Sequence, residues 1–249
     1  MKIRQTISIL LLIICVHFVF VSSSNKDDNA MLSNNLYTGK TTAVFNSNIT
    51  YGAMTDQDGN VYKTVAIGSQ TWMAENLRTT KYCDGSPITN IIDNNEWEIL
   101  KTGAYCNYNN TEDIDIIATR GRLYNWYAVN TDKLAPTGWH IPTDDEWTQL
   151  TRYLGGESVA GRKLRECGTT NWVSDYFAAT NETGLTLIPG GYRDHIGAFL
   201  SLYSYGIWWS SSEKSTKDAW LRNIQDRFID ELRDYDIKEL GLSVRCVKD

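Results

Sequence analysis

Cysteine and histidine are scarce in this chain, and the few residues of each type lie far apart. The 249 residues include five cysteines and three histidines. No Cys-x-x-Cys spacing occurs, and neither His140 nor His195 has a second histidine or a cysteine at ligand spacing. These absences argue against a zinc site and against a dithiol redox pair, since both depend on closely spaced ligands or thiols. They therefore disfavour a zinc- or cysteine-dependent enzyme.

Long apolar runs are also scarce, with one exception at the start of the chain. Lys2 and Arg4 precede an uncharged apolar stretch over residues 7–21, and the serines at 22–24 follow it. A basic start, a short apolar run and small residues are typical of a secretory signal peptide. The apolar run is shorter than the ~20 residues that a spanning helix needs. The sequence thus predicts a signal peptide over residues 1–24, with an uncleaved anchor or acylation of Cys15 as alternatives.

Clustered positive charge is missing as well. The whole chain has a formal charge of −6, and removing a leader that carries two cations and no acid leaves −8. Nucleic-acid binding needs clustered lysine and arginine, so we expect no nucleic-acid partner. No later apolar stretch could cross a membrane, so we expect no transmembrane domain after the signal segment. Because of the predicted signal peptide, we expect an exported protein of the cell surface, periplasm or extracellular space.

Tryptophan, in contrast, is abundant and unevenly placed. Residues 25–50 are rich in Asn, Ser, Thr and Asp and predict a flexible tether. Residues 51–249 contain all nine tryptophans and are long enough for one domain with a sizeable core.

Four cysteines follow the leader. Export permits disulfides, and four cysteines allow three complete pairings among which the sequence does not choose. The disulfide candidates are Cys83, Cys106, Cys167 and Cys246.

The order of local patterns predicts an α+β domain. Asp58-Gly59 before the β-prone run 61–67 indicates a hairpin turn rather than a calcium loop, because Met54 and Val65 would stand where carboxylates are needed. Apolar spacing predicts short helices over 121–130, from 143 and over 158–165, and the second has a capping box of Thr143 and Glu146. Short strands follow from Leu185 onward. The two ends of the domain could meet in one antiparallel sheet.

Seven motifs in order closely resemble the Fibrobacter succinogenes major paralogous domain family from about Tyr51 to the C-terminus. They are Asp58-Gly-Asn-Val-Tyr-Lys-Thr-Val-Ala-Ile-Gly-Ser-Gln-Thr-Trp-Met-Ala-Glu-Asn-Leu-Arg78, Leu123-Tyr-Asn-Trp-Tyr-Ala-Val-Asn130, Gly138-Trp-His-Ile-Pro142, Asp145-Glu-Trp147, Leu187-Ile-Pro-Gly-Gly-Tyr-Arg193, Trp208-Trp-Ser-Ser-Ser-Glu213 and Gly241-Leu-Ser-Val-Arg-Cys-Val247.

The resemblance implies an exported or surface protein of the Bacteroidetes and Fibrobacteres type. It also implies a fold related to the formylglycine-generating enzymes and the C-type lectins, with short antiparallel sheets and two or three short helices.

Members often have a cysteine where this chain has Ala135, so a disulfide through that position is impossible here. Cys246 stands alone near the C-terminus, without the reactive cysteine pair of the formylglycine-generating enzymes. The sugar-and-calcium triplets of the C-type lectins are absent, although a structural calcium is left open.

The stretch from Tyr192 to Arg227 offers the candidates for ligand binding, because Tyr, Trp and Arg on loops present large contact areas at low entropic cost. The candidates are Tyr192, Arg193, Tyr203, Tyr205, Trp209, Arg222 and Arg227. Trp208 and Trp220 are expected in the core, because a strand buries one face. His140 is expected to be a hydrogen-bonded structural residue.

The leading hypothesis is an exported, non-catalytic recognition module that binds a glycan or a protein partner and needs no cofactor. No catalytic residue and no metal ligand is assigned. A hydrolase that uses carboxylates from pairs such as Asp144-Asp145 and Asp230-Glu231 is one alternative, and a purely structural envelope component is another.

Overall fold

The computed structural model describes residues 39–175 and 178–249, which belong to one compact unit. The predicted signal peptide and the tether up to residue 38 lie outside the described residues. Residues 39–50, also assigned to the tether, lie against the domain: the Thr42 amide donates to Thr119 Oγ1 at 2.9 Å and the Val44 amide donates to a Glu166 carboxylate oxygen at 2.6 Å. We call residues 39–50 the strap.

One five-stranded sheet joins the two ends of the domain. Its strands are β1 (Gly52–Thr55), β2 (Val61–Ile67), β3 (Gln70–Met73), β13 (Val247–Lys248) and β7 (Trp139–His140), in the order β1-β2-β3-β13-β7. Every neighbouring pair is antiparallel. Val247 lies opposite Trp72, so the meeting of the two ends in one antiparallel sheet is confirmed.

The turn between β1 and β2 is the predicted hairpin turn. The Gly59 amide donates to the Asp56 carbonyl at 3.0 Å, and Gly59 has a φ of +82° that favours glycine. The Asp56 carboxylate accepts the amides of Asp58 and Asn60, both at 2.9 Å. The Asp56 carboxylate thus stabilises the turn in which it lies.

A second sheet forms the C-terminal third. It contains β10 (Tyr205–Glu213), β11 (Asp218–Gln225) and β12 (Leu232–Ile237) in antiparallel order β10-β11-β12. Two smaller sheets complete the strands: β4 (Thr89–Asn90), β5 (Ala104–Cys106) and β6 (Leu123–Tyr124) in one, and β8 (Tyr192–Arg193) with β9 (Phe199–Leu200) in the other. Only the β4–β5 pair among these described strands is parallel.

The described residues contain five α-helices rather than two or three. They are α1 (Asn94–Ile99), α2 (Ile114–Arg120), α3 (Trp126–Val129), α4 (Asp144–Tyr153) and α5 (Glu157–Leu164), with a 3₁₀ turn at Tyr108–Asn110. The capping box of Thr143 and Glu146 opens α4 as predicted, and α5 matches the helix predicted over 158–165. None of the described helices is long and apolar enough to cross a bilayer.

The helix predicted over 121–130 is wrong in its first half. Leu123 and Tyr124 form β6, because they pair with Cys106 and Tyr105 of β5, and the Tyr124 amide donates to the Leu242 carbonyl at 2.8 Å. These partners are distant in sequence, and they override the local helical spacing that remains only over Trp126–Val129.

Seven of the nine tryptophans are buried in the core. Trp208 is fully buried as expected, but Trp220 is not a core residue: it is half-buried and stands outside the buried clusters. Trp220 shares a sheet face with Arg222, and α4 begins at Asp144 beside Arg222. The helix therefore covers the arginine and leaves the tryptophan at the edge of the covered face.

Candidate functional site: a groove around Asp144

The start of α4 and the second sheet enclose a groove whose central acid is Asp144. Arg222 donates from Nη1 to Asp144 Oδ1 at 2.7 Å, and Arg233 donates from Nη2 to Asp144 Oδ2 at 2.7 Å. Burial on its own would raise the pKa of Asp144, but the hydrogen bonds from Arg233 and Arg222 outweigh it and hold this pKa below its ordinary value. Asp144 is thus an ionised carboxylate that accepts hydrogen bonds from two guanidinium groups.

A second acid lies beneath the groove. Glu231 is 1% exposed, its carboxylate accepts the Thr151 hydroxyl at 2.7 Å, and it forms an ion pair with Arg222 Nε at 2.8 Å. Burial raises the pKa of Glu231 to about 7, against the opposing effect of the Arg222 charge. One line of contacts therefore runs from buried Glu231 through Arg222 and Asp144 to Arg233.

Aromatic rings form the rim at the end of that line. The Arg233 guanidinium carbon lies 3.5 Å from the centre of the Trp220 ring system. Trp220 meets Tyr235 edge to face at 5.6 Å, and Tyr235 is 49% exposed. Lys214 Nζ lies 5.0 Å from the Trp220 centre and 5.4 Å from the Tyr235 centre. These cation–π contacts hold Trp220 and Tyr235 in place.

The groove encloses about 350 Å³, which suits a small ligand or one end of a larger one. Its described lining is polar and balanced in charge, with three acids and three arginines. The lining residues are Asp144, Asp145, Thr148, Thr151, Arg152, Gly156, Glu157, Arg222 and Arg233. A lining with no net charge does not favour a strongly charged ligand of either sign, whereas carboxylates and guanidinium groups together can bind hydroxyl groups as acceptors and donors.

Of the seven residues predicted to bind a ligand, only Arg222 lines this groove. Arg193 and Trp209 are fully buried and line none of the described cavities, so neither side chain is open to a ligand in this structure. Arg193 donates to the carbonyls of Ile91, Ile92, Asp93 and Gly197 and to the Asn94 side chain, and Trp209 Nε1 donates to the Tyr124 carbonyl at 2.9 Å. Their polar groups are thus satisfied inside the protein.

The four predicted tyrosine and arginine positions that remain lie elsewhere. Tyr192 and Tyr205 are half-buried and pack against the larger core cluster. Tyr203 is 51% exposed and stacks on Arg120, while the Arg227 side chain is 83% exposed. Arg227 lines a separate cavity of about 540 Å³ with Val173. Sequence reasoning missed three residues in and beside the groove, namely Arg233, Tyr235 and Trp220. Cross-strand pairing between β11 and β12 is the signal that could have placed Tyr235 next to Trp220.

The predicted disulfides do not form among the described residues. Cys83, Cys106, Cys167 and Cys246 are all free thiols. Cys106 and Cys246 are fully buried in different core clusters, and Cys83 is exposed at the surface. Burial raises the pKa of Cys106 to about 12 and that of Cys246 further still, so neither thiol is a reactive thiolate.

His140 is held on both sides by acids. Its Nδ1 lies 2.7 Å from Asp249 Oδ1 and its Nε2 lies 2.7 Å from Glu146 Oε1. Burial lowers the pKa of His140, but the hydrogen bonds with Asp249 and Glu146 outweigh it and raise this pKa above its ordinary value. A ring that donates from both nitrogens has no lone pair for a metal or for a substrate proton. The structural interpretation of His140 agrees with this geometry.

Neither central acid of the Asp144 groove is a free carboxyl group that is open to a substrate. Glu231 has the raised pKa of a general acid, but its carboxyl is buried beneath the groove and does not line it. Asp144 is saturated by two arginines. Over residues 39–175 and 178–249 no group of three or more His, Cys, Asp or Glu side chains is gathered that could hold a metal ion.

Comparison with known proteins gives one match. The family model described as the Fibrobacter succinogenes major domain matches residues 65–248. No curated protein matches, and no solved structure matches.

Proposed function

Because the chain belongs to the Fibrobacter succinogenes major domain family, whose name specifies no activity, we propose its function from the site: an exported, non-catalytic recognition module that binds a neutral glycan in the Asp144 groove. The fold that goes with this proposal is C-type-lectin-like, and the compartment is the cell surface, the periplasm or the medium. No cofactor takes part.

The pair of half-buried Trp220 and exposed Tyr235 beside a charge-balanced polar cavity carries the proposal. Sugar rings present apolar C–H faces and a dense set of hydroxyl groups. The aromatic rim can stack on such a face, since aromatic rings bury large areas at low entropic cost. The groove supplies carboxylate acceptors and guanidinium donors for the hydroxyls. A neutral glycan fits this lining better than an anionic polymer, because three acids and three arginines leave no net positive charge to attract one.

The recognition role is favoured over catalysis by the state of the reactive groups. The buried thiols have raised pKa values, His140 is held by two acids, and the acid with a pKa near 7 is enclosed. Cys106, Cys246, His140 and Glu231 are thus each committed to a partner or shielded from substrate. A protein partner remains the alternative ligand.

A glycan array tests the proposal, with the exported full-chain protein probed against neutral and uronic-acid glycans. We expect binding to neutral glycans, and we expect Trp220→Ala and Tyr235→Ala each to weaken it about tenfold or more, because tryptophan and tyrosine are enriched among the residues that carry most of the binding energy. Tyr203→Ala is the matched control, since Tyr203 and Tyr235 are similarly exposed, 51% and 49%. Loss of binding in Tyr203→Ala alone would move the site to the Tyr203–Arg227 surface. Absence of any glycan binding would overturn the proposal.

A further inference from the structure

A second cavity, which shares no lining residue with the Asp144 groove, lies between the strap and the first sheet. It encloses about 720 Å³. Its walls are the strap at Gly39–Thr41, the start of β1 at Tyr51–Ala53, β2 at Val61–Lys63, and the residues Glu75, Arg78 and Ala118. We call it the strap cavity. Its volume lies within the range of cavities that hold small organic ligands.

Small residues and the strap together create this space. On the outward face of β1 and β2, Ala53 lies directly opposite Lys63, so the strand beside the lysine contributes little more than a methyl group. The Lys40 amide donates to Asp115 Oδ1 at 3.2 Å, which fixes the strap over α2 as the facing wall. The cavity is therefore built by tertiary contacts rather than by one loop.

The charge of the strap cavity is opposite to that of the protein. Lys40, Lys63 and Arg78 line it together with one acid, Glu75, among the described residues. Glu75 is 8% exposed and already engaged, because one oxygen accepts the Lys63 amide at 2.6 Å and the other lies 3.8 Å from Arg78 Nη1. The lining thus has a surplus of positive charge in a chain of net charge −6. Such a local surplus favours an anionic ligand.

Aromatic rings, and not an acid, hold Lys63, and a ring also packs on Arg78 in addition to its pairing with Glu75. Lys63 Nζ lies 5.1 Å from the Phe45 ring centre and 5.3 Å from that of Tyr51. The Arg78 guanidinium lies 4.3 Å from the Tyr62 ring centre and donates to the Val61 carbonyl at 2.9 Å. Cation–π contacts position a charge without neutralising it. The ammonium group of Lys63 thus keeps its capacity to bind an anion.

Apolar surface completes the lining. Val61 is a strand residue that is 58% exposed on the same outward face as Lys63, and Ala53 and Ala118 add methyl groups. An inorganic anion would leave this surface in contact with water. We infer that the strap cavity binds a small amphipathic carboxylate, with the acid group at Lys63 and Arg78 and an apolar body along Val61 and Ala118.

Isothermal calorimetry with octanoate as the probe tests this inference on the full-chain protein. We expect octanoate to bind and 1-octanol, which has the same apolar chain without the charge, to bind at least tenfold more weakly. Lys63→Gln should weaken octanoate binding at least fivefold, and the loss should shrink as salt screens the charge. Lys217→Gln is the matched control, since Lys217 lies in the turn between β10 and β11, and it should bind octanoate normally.

Lys63 is exposed, so its variant is expected to fold, and a thermal melt checks this. Because Arg78 is mostly buried, Arg78→Gln serves only as a second variant. Equal binding of octanoate and octanol would overturn the inference, as would undiminished octanoate binding by a folded Lys63→Gln protein. So would the absence of octanoate binding at millimolar concentration. None of these results depends on glycan binding at the Asp144 groove.

Discussion

Two sets of arginines, which differ in the atoms they contact, perform different tasks in this domain. Arg193 and Arg245 end on neutral oxygens: Arg245 donates to the carbonyls of Met73, Leu185 and Thr186 and to Asn76 Oδ1. Arg222 and Arg233 instead share the carboxylate of Asp144 at the wall of a groove. The first set connects chain segments that are far apart in sequence, and the second set fixes charge where a ligand can reach it.

The contrast shows that a buried arginine identifies a site only through its partners. Carbonyl oxygens leave the charge uncompensated, and the cost is visible at Arg245, where burial lowers the pKa to about 9. The carboxylate at the groove compensates the charge and leaves Arg233 37% exposed beside Trp220. The Asp144 groove thus has preorganised polar groups without being sealed.

The largest expected effect comes from removing Arg193, one of the arginines that donate to neutral oxygens. Arg193→Met should lower the free energy of unfolding by about 3–5 kcal/mol, because it leaves several buried acceptor oxygens without a donor. Urea unfolding measures the change. Arg227→Met is the matched control, since the Arg227 side chain is 83% exposed, and it should change stability by less than about 0.5 kcal/mol. Similar losses in both variants would remove the distinction between the two kinds of arginine.

A smaller effect on stability is expected from Glu231, the buried acid that pairs with Arg222 beneath the groove. The pKa of Glu231 is raised from 4.5 to about 7 in the folded protein. Its protonated form therefore contributes stability that is fully present below pH 4.5 and is lost as the pH rises through about 7. Glu231→Gln should remove this slope, and across that window the wild type should lose up to about 3 kcal/mol relative to the variant.

Unfolding in urea at a series of pH values measures both proteins. Other titrating groups are common to the two chains, so the difference between the curves isolates Glu231. Parallel curves from pH 4.5 to 8 would contradict an enclosed acid that titrates near pH 7.

Local signals predicted the parts of the fold that depend on neighbouring residues. The Thr143–Glu146 capping box and the Asp58-Gly59 hairpin turn both form as predicted, because their hydrogen bonds join residues within a few positions. The seven motifs also identified the family correctly. The helix at 121–124 failed because its true partners lie in β5 and near Leu242.

The candidate site was harder to predict for the same physical reason. Arg193 and Arg222 look alike in sequence, and their roles follow from acceptors that lie 102 and 78 residues away, respectively. Trp220 was expected in the core because a strand buries one face, and strand alternation shows which residues share that face. It does not show how far a covering helix extends along that face. Arg233, whose guanidinium joins Asp144 to Trp220, therefore became visible only in three dimensions.

The indole N–H resonance of Trp220 offers the most direct test of the recognition groove. The nine tryptophans give separate indole signals in a ¹⁵N-labelled protein, and seven of them report on the buried core. On titration with the strongest neutral glycan from the array, the Trp220 signal should shift most, while those of buried Trp147 and Trp172 stay in place. A saturating glycan that leaves Trp220 unchanged and instead moves the signal of Trp172 would contradict the account.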